Sequence, residues 1–236
     1  IIFEGSLNLK IIELRKIGFP LLRLVTIGPV ITIGLTYLLN RYLLNLSNEM
    51  SIIFATVLVI TGPTVIIPLL RHIKVSPKIS SLIRWEGILI DPIGAILIVL
   101  AHQILFVSTD HVLKVTLMVV LSSFAVSIII GLVATLIIII LFKRNLVPEY
   151  LQELFTLTIL LSSYVISDSF VQDSGILTMV IMGIALANQT KIQLTHIKVF
   201  KENLRILFIS TLFILLSSRL IVDDLINIFD IKMLIF

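Results

Sequence analysis

Residues 87–101 read GILIDPIGAILIVLA, and Asp91 is the only charge among them. They lie inside a longer apolar run, residues 82–106, long enough to cross a bilayer as a helix. An ionised acid at mid-bilayer is strongly disfavoured, so an intramembrane carboxylate marks a functional site by default. Just upstream, residues 61–68 read TGPTVIIP, a Gly-Pro break inside a second apolar run. A helical membrane protein with chemistry at a broken helix accounts for both features.

The whole composition agrees. The chain is 58% hydrophobic and 14% charged, with a mean hydropathy of +1.17. A soluble domain of this length needs far more polar surface. The expected fold is an all-α polytopic membrane protein. No cysteine is present, which excludes disulfides and thiol chemistry. The formal charge is +4, but the basic residues sit in short loops between apolar runs, which is a topology pattern and excludes nucleic acid as a partner. The chain starts with Ile1 and stops in the apolar run IKMLIF, so residues 1–236 are read as one transmembrane domain cut at both ends.

Apolar runs at residues 24–44, 50–70, 82–106, 115–142, 151–166, 176–187 and 206–222 predict about seven spans, with partial spans at 1–9 and 225–236. The run at 176–187 is short, so it either takes in flanking polar residues or sits in a thinner, protein-buried position. Basic residues mark alternate loops: Lys10, Arg15, Lys16 and Arg23; Arg71, Lys74, Lys78 and Arg84; Lys143 and Arg144; Lys191, Lys198, Lys201 and Arg205. These loops are expected on the cytoplasmic side. The opposite loops carry Arg41 and Lys114 and are otherwise neutral or acidic, with Asp110, Asp168, Asp173, Asp223 and Asp224. Trp85, Tyr42 and Tyr150 fall at span ends, as interfacial aromatics do. Residues 190–205 form a basic amphipathic linker or a solvated loop.

Depth ties the break to the acid. Gly62 lies about 18 Å into its span from one side, and Asp91 about 14 Å into the next span from the other, at helical rise. Together these fill a hydrocarbon core of roughly 30 Å, so break and acid meet near the midplane. Pro63 has no N–H and disturbs the carbonyl four residues earlier, and Gly62 lets the backbone leave the helix. Freed carbonyls, with the Thr61 and Thr64 hydroxyls, can hold a small cation, as broken helices do in secondary transporters. A packing kink is the ordinary alternative. Asp91 can take a proton or a monovalent cation in competition; a structural ion pair is its ordinary alternative.

Other polar groups are weaker candidates. Glu86 is five residues before Asp91, roughly 140° around the helix, so the two do not form a paired-carboxylate site. Glu86 suits half of an ion pair, with Arg219 or a residue beyond the chain as partner, or an interfacial position. His102 returns to within about 20° of the Asp91 face; it suits an outer relay less well than an ordinary interfacial site. Asp168 and Asp173 read as solvated acids at an outer span end.

At these residues the chain resembles the monovalent cation/proton antiporter family of the sodium/proton exchanger type. FEGSLNLKIIELRK (residues 3–16) resembles the end of the family's third helix. TGPTVIIPLL (61–70) stands where the family has a Thr-Asp-Pro broken helix, and RWEGILIDPIGA (84–95) where it has a Gly-Glu-Ser…Asn-Asp motif. DSGILTMVIMGIALAN (173–188) and FKENLRILFISTLFILL (200–216) are similar to two later helices in a more generic way. Glu86 and Asp91 match the motif; Gly62 replaces its Asp, Gly87 a Ser and Ile90 an Asn, which leaves fewer oxygen ligands.

The resemblance implies a secondary antiporter exchanging protons for a monovalent cation (sodium before potassium or lithium) by alternating access in a bacterial inner membrane. It implies an antiporter fold with a discontinuous helix at mid-membrane, a homodimer, and a second broken helix and an Arg-bearing helix past Phe236. No organic cofactor or enzymatic activity is expected. With one exchangeable acid at this depth, exchange is expected to be electroneutral. The rivals are an intramembrane enzyme and a scaffold using Asp91 structurally. An aspartyl protease would need a second acid in a Gly-x-Gly-Asp setting, which the sequence lacks, and a scaffold leaves Asp91 unexplained.

Overall fold

A computed structural model of the chain describes residues 2–62, 66, 70, 73, 75–106, 112–192 and 195–219. Pro63 and Thr64, with Arg71, Lys74, Asp110, Asp223, Asp224 and residues 225–236, lie outside the described residues. Every regular element described is a helix: α1 (Ile2–Ser6), α2 (Ile11–Tyr42), α3 (Asn48–Val57), α4 (Pro77–Phe106), α5 (Val112–Lys143), a 3-10 turn (Glu149–Leu151), α6 (Gln152–Phe170), α7 (Ser174–Asn188) and α8 (Thr195–Arg219). Helices are what a bilayer demands, because each satisfies its own backbone polar groups.

The helices run past the apolar runs that suggested them. α2 begins at Ile11, not near residue 24, and α8 at Thr195, inside the expected linker. Hydropathy reports where a helix meets lipid, whereas Leu, Arg, Lys and Glu are all good helix formers and keep it going. By length and composition, three helices suffice to cross a membrane: Ile11–Tyr42, Met118–Lys143 and Glu149–Phe170. Two shorter apolar ones, Ser174–Asn188 and Ile206–Arg219, accompany them. Fewer than the expected seven therefore meet that measure among the described residues; within the second expected span, residues 50–70, α3 ends at Val57, and most of residues 63–69 lie outside the described residues.

Two bundles share the molecule. α2, α3 and α4 pack together, and α1, α5 and α6 pack around α7, which also touches α4. One apolar core joins Phe3 and Leu7 to Ile138 and Phe142 of α5, Leu160 of α6, and Met182 and Leu186 of α7. The other joins Leu9, Ile17, Leu21 and Val25 to Trp85 and Ile88 of α4 and to Val180 of α7. The short helix α7 is thus central and protein-buried. Trp85 departs from its expected interfacial place: it is 3% exposed, covered by the early turns of α2, and its Nε1–H is buried without an acceptor among the described residues.

Close approach within the second bundle depends on glycine. A Cβ on Gly131 of α5 would lie 3.1 Å from the Thr178 carbonyl oxygen of α7, and one on Gly183 of α7 2.9 Å from the Phe3 carbonyl oxygen. Small residues at such crossings let backbones meet. Buried hydroxyls add cross-links: Ser127 Oγ donates to the Ser174 carbonyl (2.8 Å), Ser174 Oγ to the Ser167 carbonyl (2.8 Å), and Thr178 Oγ1 to Ser167 Oγ (2.7 Å).

The basic loops gather at one end. Arg84 at the start of α4 faces Glu13 at the start of α2 (3.9 Å). Phe142, beside Lys143, shares a core with Leu186 near the end of α7. Asn188 ties the same end together. Its Nδ2 donates to the Leu9 carbonyl (2.9 Å) and its Oδ1 accepts the Ile11 N–H (2.8 Å), so one amide spans the joint between α1 and α2.

Candidate functional site

The site begins where α3 stops. Ser47 caps α3, its Oγ accepting the Met50 N–H (3.2 Å). The far end tightens into shorter turns: the Val59 N–H reaches the Thr56 carbonyl (3.4 Å) and the Ile60 N–H the Val57 carbonyl (3.2 Å). The cause lies ahead in sequence. Pro63 would press its ring on the Val59 carbonyl, and the residue before a proline avoids helical geometry. The helix therefore ends at Val57, four residues before the expected break, and Thr61 and Gly62 continue as exposed non-helical chain.

That chain lies against α4. Thr61 Oγ1 donates to Glu86 Oε1 at 2.9 Å. A Cβ on Gly94 would come within 3.0 Å of Ile60 Cδ1 and still closer to its Cγ1, so Gly94 is the place where Ile60 seats. Two consecutive residues of the break thus reach positions on α4 about 12 Å apart along its axis, and Asp91 lies between those positions. Asp91 and Glu86 are half-buried, while Gly87, Ile88, Ile90 and Pro92 are buried. Pro92 has no N–H, so the Ile88 carbonyl, one turn before Asp91, loses its helical donor.

The geometry sorts the sequence candidates. It brings Thr61 to Glu86 and Ile60 to Gly94, positions on either side of Asp91 along α4, with Gly62 next to Thr61 in the chain. Pro63 and Thr64 are outside the described residues. The described partner of Glu86 is the Thr61 hydroxyl, not Arg219. His102 is exposed two to three turns further along α4. Asp168, in the last turn of α6, and Asp173, just before α7, lie apart from the site, and Asp168 Oδ1 accepts the Asp173 N–H (2.8 Å). Burial, and then the Asp168 charge, push the Asp173 carboxyl above the usual carboxylate range.

Chemically the site offers oxygen: a carboxylate at Asp91, a second at Glu86, a hydroxyl at Thr61 and a proline-freed carbonyl. Hard monovalent cations and protons suit such donors. No group of three or more His, Cys, Asp or Glu side chains that could hold a metal converges among the described residues. Sequence reasoning missed the Thr61–Glu86 bond and the seating of Ile60 on Gly94. A signal for the second existed, since a lone glycine inside an apolar helix marks a close approach.

Comparison with known proteins bears on the whole chain. The family model described as sodium/hydrogen exchanger, transmembrane, matches residues 1–236. A curated relative, the Na(+)/H(+) antiporter ApNhaP of Aphanothece halophytica, is 29% identical over 97 residues, 41% of this chain and 18% of that protein. The solved structure of the sodium proton antiporter MjNhaP1 from Methanocaldococcus jannaschii at pH 8 superposes with a TM-score of 0.70 at 22% identity. That superposition covers 88% of this chain and 52% of the antiporter, so the chain spans about half the length of that relative.

Proposed function

The chain belongs to the sodium/hydrogen exchanger family, and on that premise we propose that it exchanges protons for a monovalent cation, sodium first, across a membrane. Its apolar helices and its family make it an integral membrane protein. In this reading Asp91 holds either the proton or the cation. Oxygens of the broken segment, from Thr61 through Gly62 and Pro63 to Thr64, complete the cation's shell. Glu86 supports them by holding Thr61. The observation that carries the reading is the seating of the break on α4 at positions either side of Asp91.

Alternating access follows from competition for one carboxylate: each exposure to a new side lets one ligand replace the other. One such carboxylate releases one proton for each cation, so exchange is electroneutral. The native state is a homodimer in a bacterial inner membrane, and potassium and lithium are the alternative cations.

The test is cation-induced dequenching of a pH dye in vesicles holding the full-length protein. Asp91→Asn keeps the side-chain volume and removes the exchangeable site, so dequenching should vanish. Exchange at the normal rate would reject the reading. Imposing a potential without a pH gradient tests stoichiometry: a potential-driven cation flux coupled to protons would make Glu86 a second proton carrier.

A further inference from the structure

A cavity of about 670 Å³ opens at the basic end of the molecule between the first turns of α2 and α4. Ile12 and Ile17 of α2 line it with Glu13 and Lys16 from the same helix, and Ser76, Lys78 and Ser81 line it from the start of α4 and the residue before it. It lies on the opposite flank of α2 from the crevice lined by Leu14, Gly18 and Leu22 that reaches Pro92.

Among the described residues, the charges in this cavity do not balance. Glu13 is committed to Arg84, which also donates to the Ser80 carbonyl (3.4 Å) and Ser81 Oγ (3.5 Å). That pair cancels, and the ammonium groups of Lys16 and Lys78, from two different helices, remain over one cavity. Both chains are exposed, but Ser81 beneath them is buried. The start of α4 adds to the positive field, since Ser76 Oγ accepts the Ile79 N–H (3.4 Å) and Pro77 opens the helix. Glu13 Oε2 is buried and accepts no hydrogen bond from the described residues, with Arg84 at 3.9 Å. A ligand that fits would present an oxyanion to the lysines and a hydroxyl donor to Glu13.

We propose that the cavity between the first turns of α2 and α4 binds a phosphate-bearing ligand through Lys16 and Lys78. The position, at the membrane end where the basic residues gather, suits the phosphate of an anionic lipid headgroup; a free phosphate offers the same chemistry. Because α4 carries Asp91, such a ligand would fasten the start of that helix to α2.

The full-length protein, solubilised in detergent, is titrated at constant ionic strength with dihexanoyl phosphatidylglycerol, dihexanoyl phosphatidylcholine or sodium phosphate, and thermal unfolding is followed. Phosphatidylglycerol should raise the unfolding midpoint more than phosphatidylcholine. In Lys16→Gln/Lys78→Gln its apparent affinity should fall roughly tenfold or more, at about 1 kcal/mol per basic residue near a membrane surface. Lys143→Gln/Arg144→Gln, at the same end but outside the cavity, should titrate like the parent. Stabilisation by sodium phosphate as well would assign the site to free phosphate; stabilisation by phosphatidylglycerol alone would assign it to lipid. The proposal fails if neither ligand stabilises beyond phosphatidylcholine, or if the double variant titrates like the parent. Should that variant not fold, Lys78→Gln alone must weaken binding and Lys16→Arg/Lys78→Arg must retain it; the opposite result rejects the site.

Discussion

The α2–α4 bundle and the α5–α7 bundle are built from similar apolar residues and held by different means. In α5–α7, glycines bring backbones together and a chain of buried hydroxyls ties three helices. In α2–α4, prolines stand inside the helices (Pro20, Pro29 and Pro92), α3 ends at Val57, and half-buried Glu86 accepts from Thr61 of the chain that follows, with half-buried Asp91 further along the same helix. Pro148, the one proline after residue 92, lies between helices. Regular backbone leaves no carbonyl to spare and has nothing with which to bind an ion. The irregular bundle gives up packing order for free oxygens, and the regular one supplies the wall against which it stands.

Substitutions can break this contrast. The largest effect is expected at Asp91. Asp91→Asn should lower exchange by about 100-fold or more, as removal of a transporting acid does, with an unchanged unfolding midpoint. A fall in the midpoint together with exchange would mean that the acid is structural. Gly183→Ala should do the reverse. Its Cβ meets the Phe3 carbonyl and Ser6, and overpacking costs about 1–3 kcal/mol, only partly offset by the helix preference of Ala. The midpoint should drop while each folded molecule exchanges normally. Equal loss of both would erase the distinction between wall and site.

Two changes sharpen it. Thr61→Val keeps shape and removes the hydrogen bond to Glu86, worth about 1 to 3 kcal/mol to a charged acceptor. Exchange should fall roughly five- to tenfold through cation affinity, read from the cation dependence of dequenching. Gly94→Ala sets its Cβ against Cγ1 of the Ile60 side chain, which must shift, so a loss of about two- to fivefold in exchange is expected. Adding Ile60→Ala should restore most of it, and failure of that rescue would detach the contact from function.

The smallest effect belongs to Asp173, in the wall. Its folded pKa lies above the usual carboxylate value, so the ionised form is disfavoured by the fold. Stability tied to this group is present at low pH, where the acid is protonated in both states. It is lost as pH rises from the ordinary carboxylate value through the folded one. Asp173→Asn should flatten that dependence and slightly raise the midpoint at neutral pH. Asn also tolerates the left-handed backbone at this position (φ 63°). A midpoint that still falls over the same interval would place the titration elsewhere.

Much of this was legible in the sequence. Apolar runs located the helices, the lone Asp91 and the TGPT break singled out the stretch proposed as the site, and the brevity of the run at 176–187 pointed to flanking polar residues or protein burial; α7, Ser174–Asn188, has both. What escaped has physical causes. Helix ends past Leu24 and Leu82 were hidden because charged residues end a hydropathy run without ending a helix. Trp85 was misplaced for the same reason: the helix that covers it was read as a loop. The Thr61–Glu86 bond escaped because a helical-wheel angle relates residues of one helix only, and Thr61 is on none.

Asn188 has a mechanical consequence. It holds α2 at its first residue, and α2 is a rod about 48 Å long. With the fulcrum at one end, a tilt of about 10° carries the other end roughly 8 Å, and α3 travels with it through the Tyr37–Asn48 and Asn40–Ser51 bonds. Leverage of that kind turns a displacement near the pin into a large stroke at the opposite membrane surface. Asn188→Asp would keep the Ile11 contact and set a charge against the Leu9 carbonyl, loosening the bearing rather than the rod.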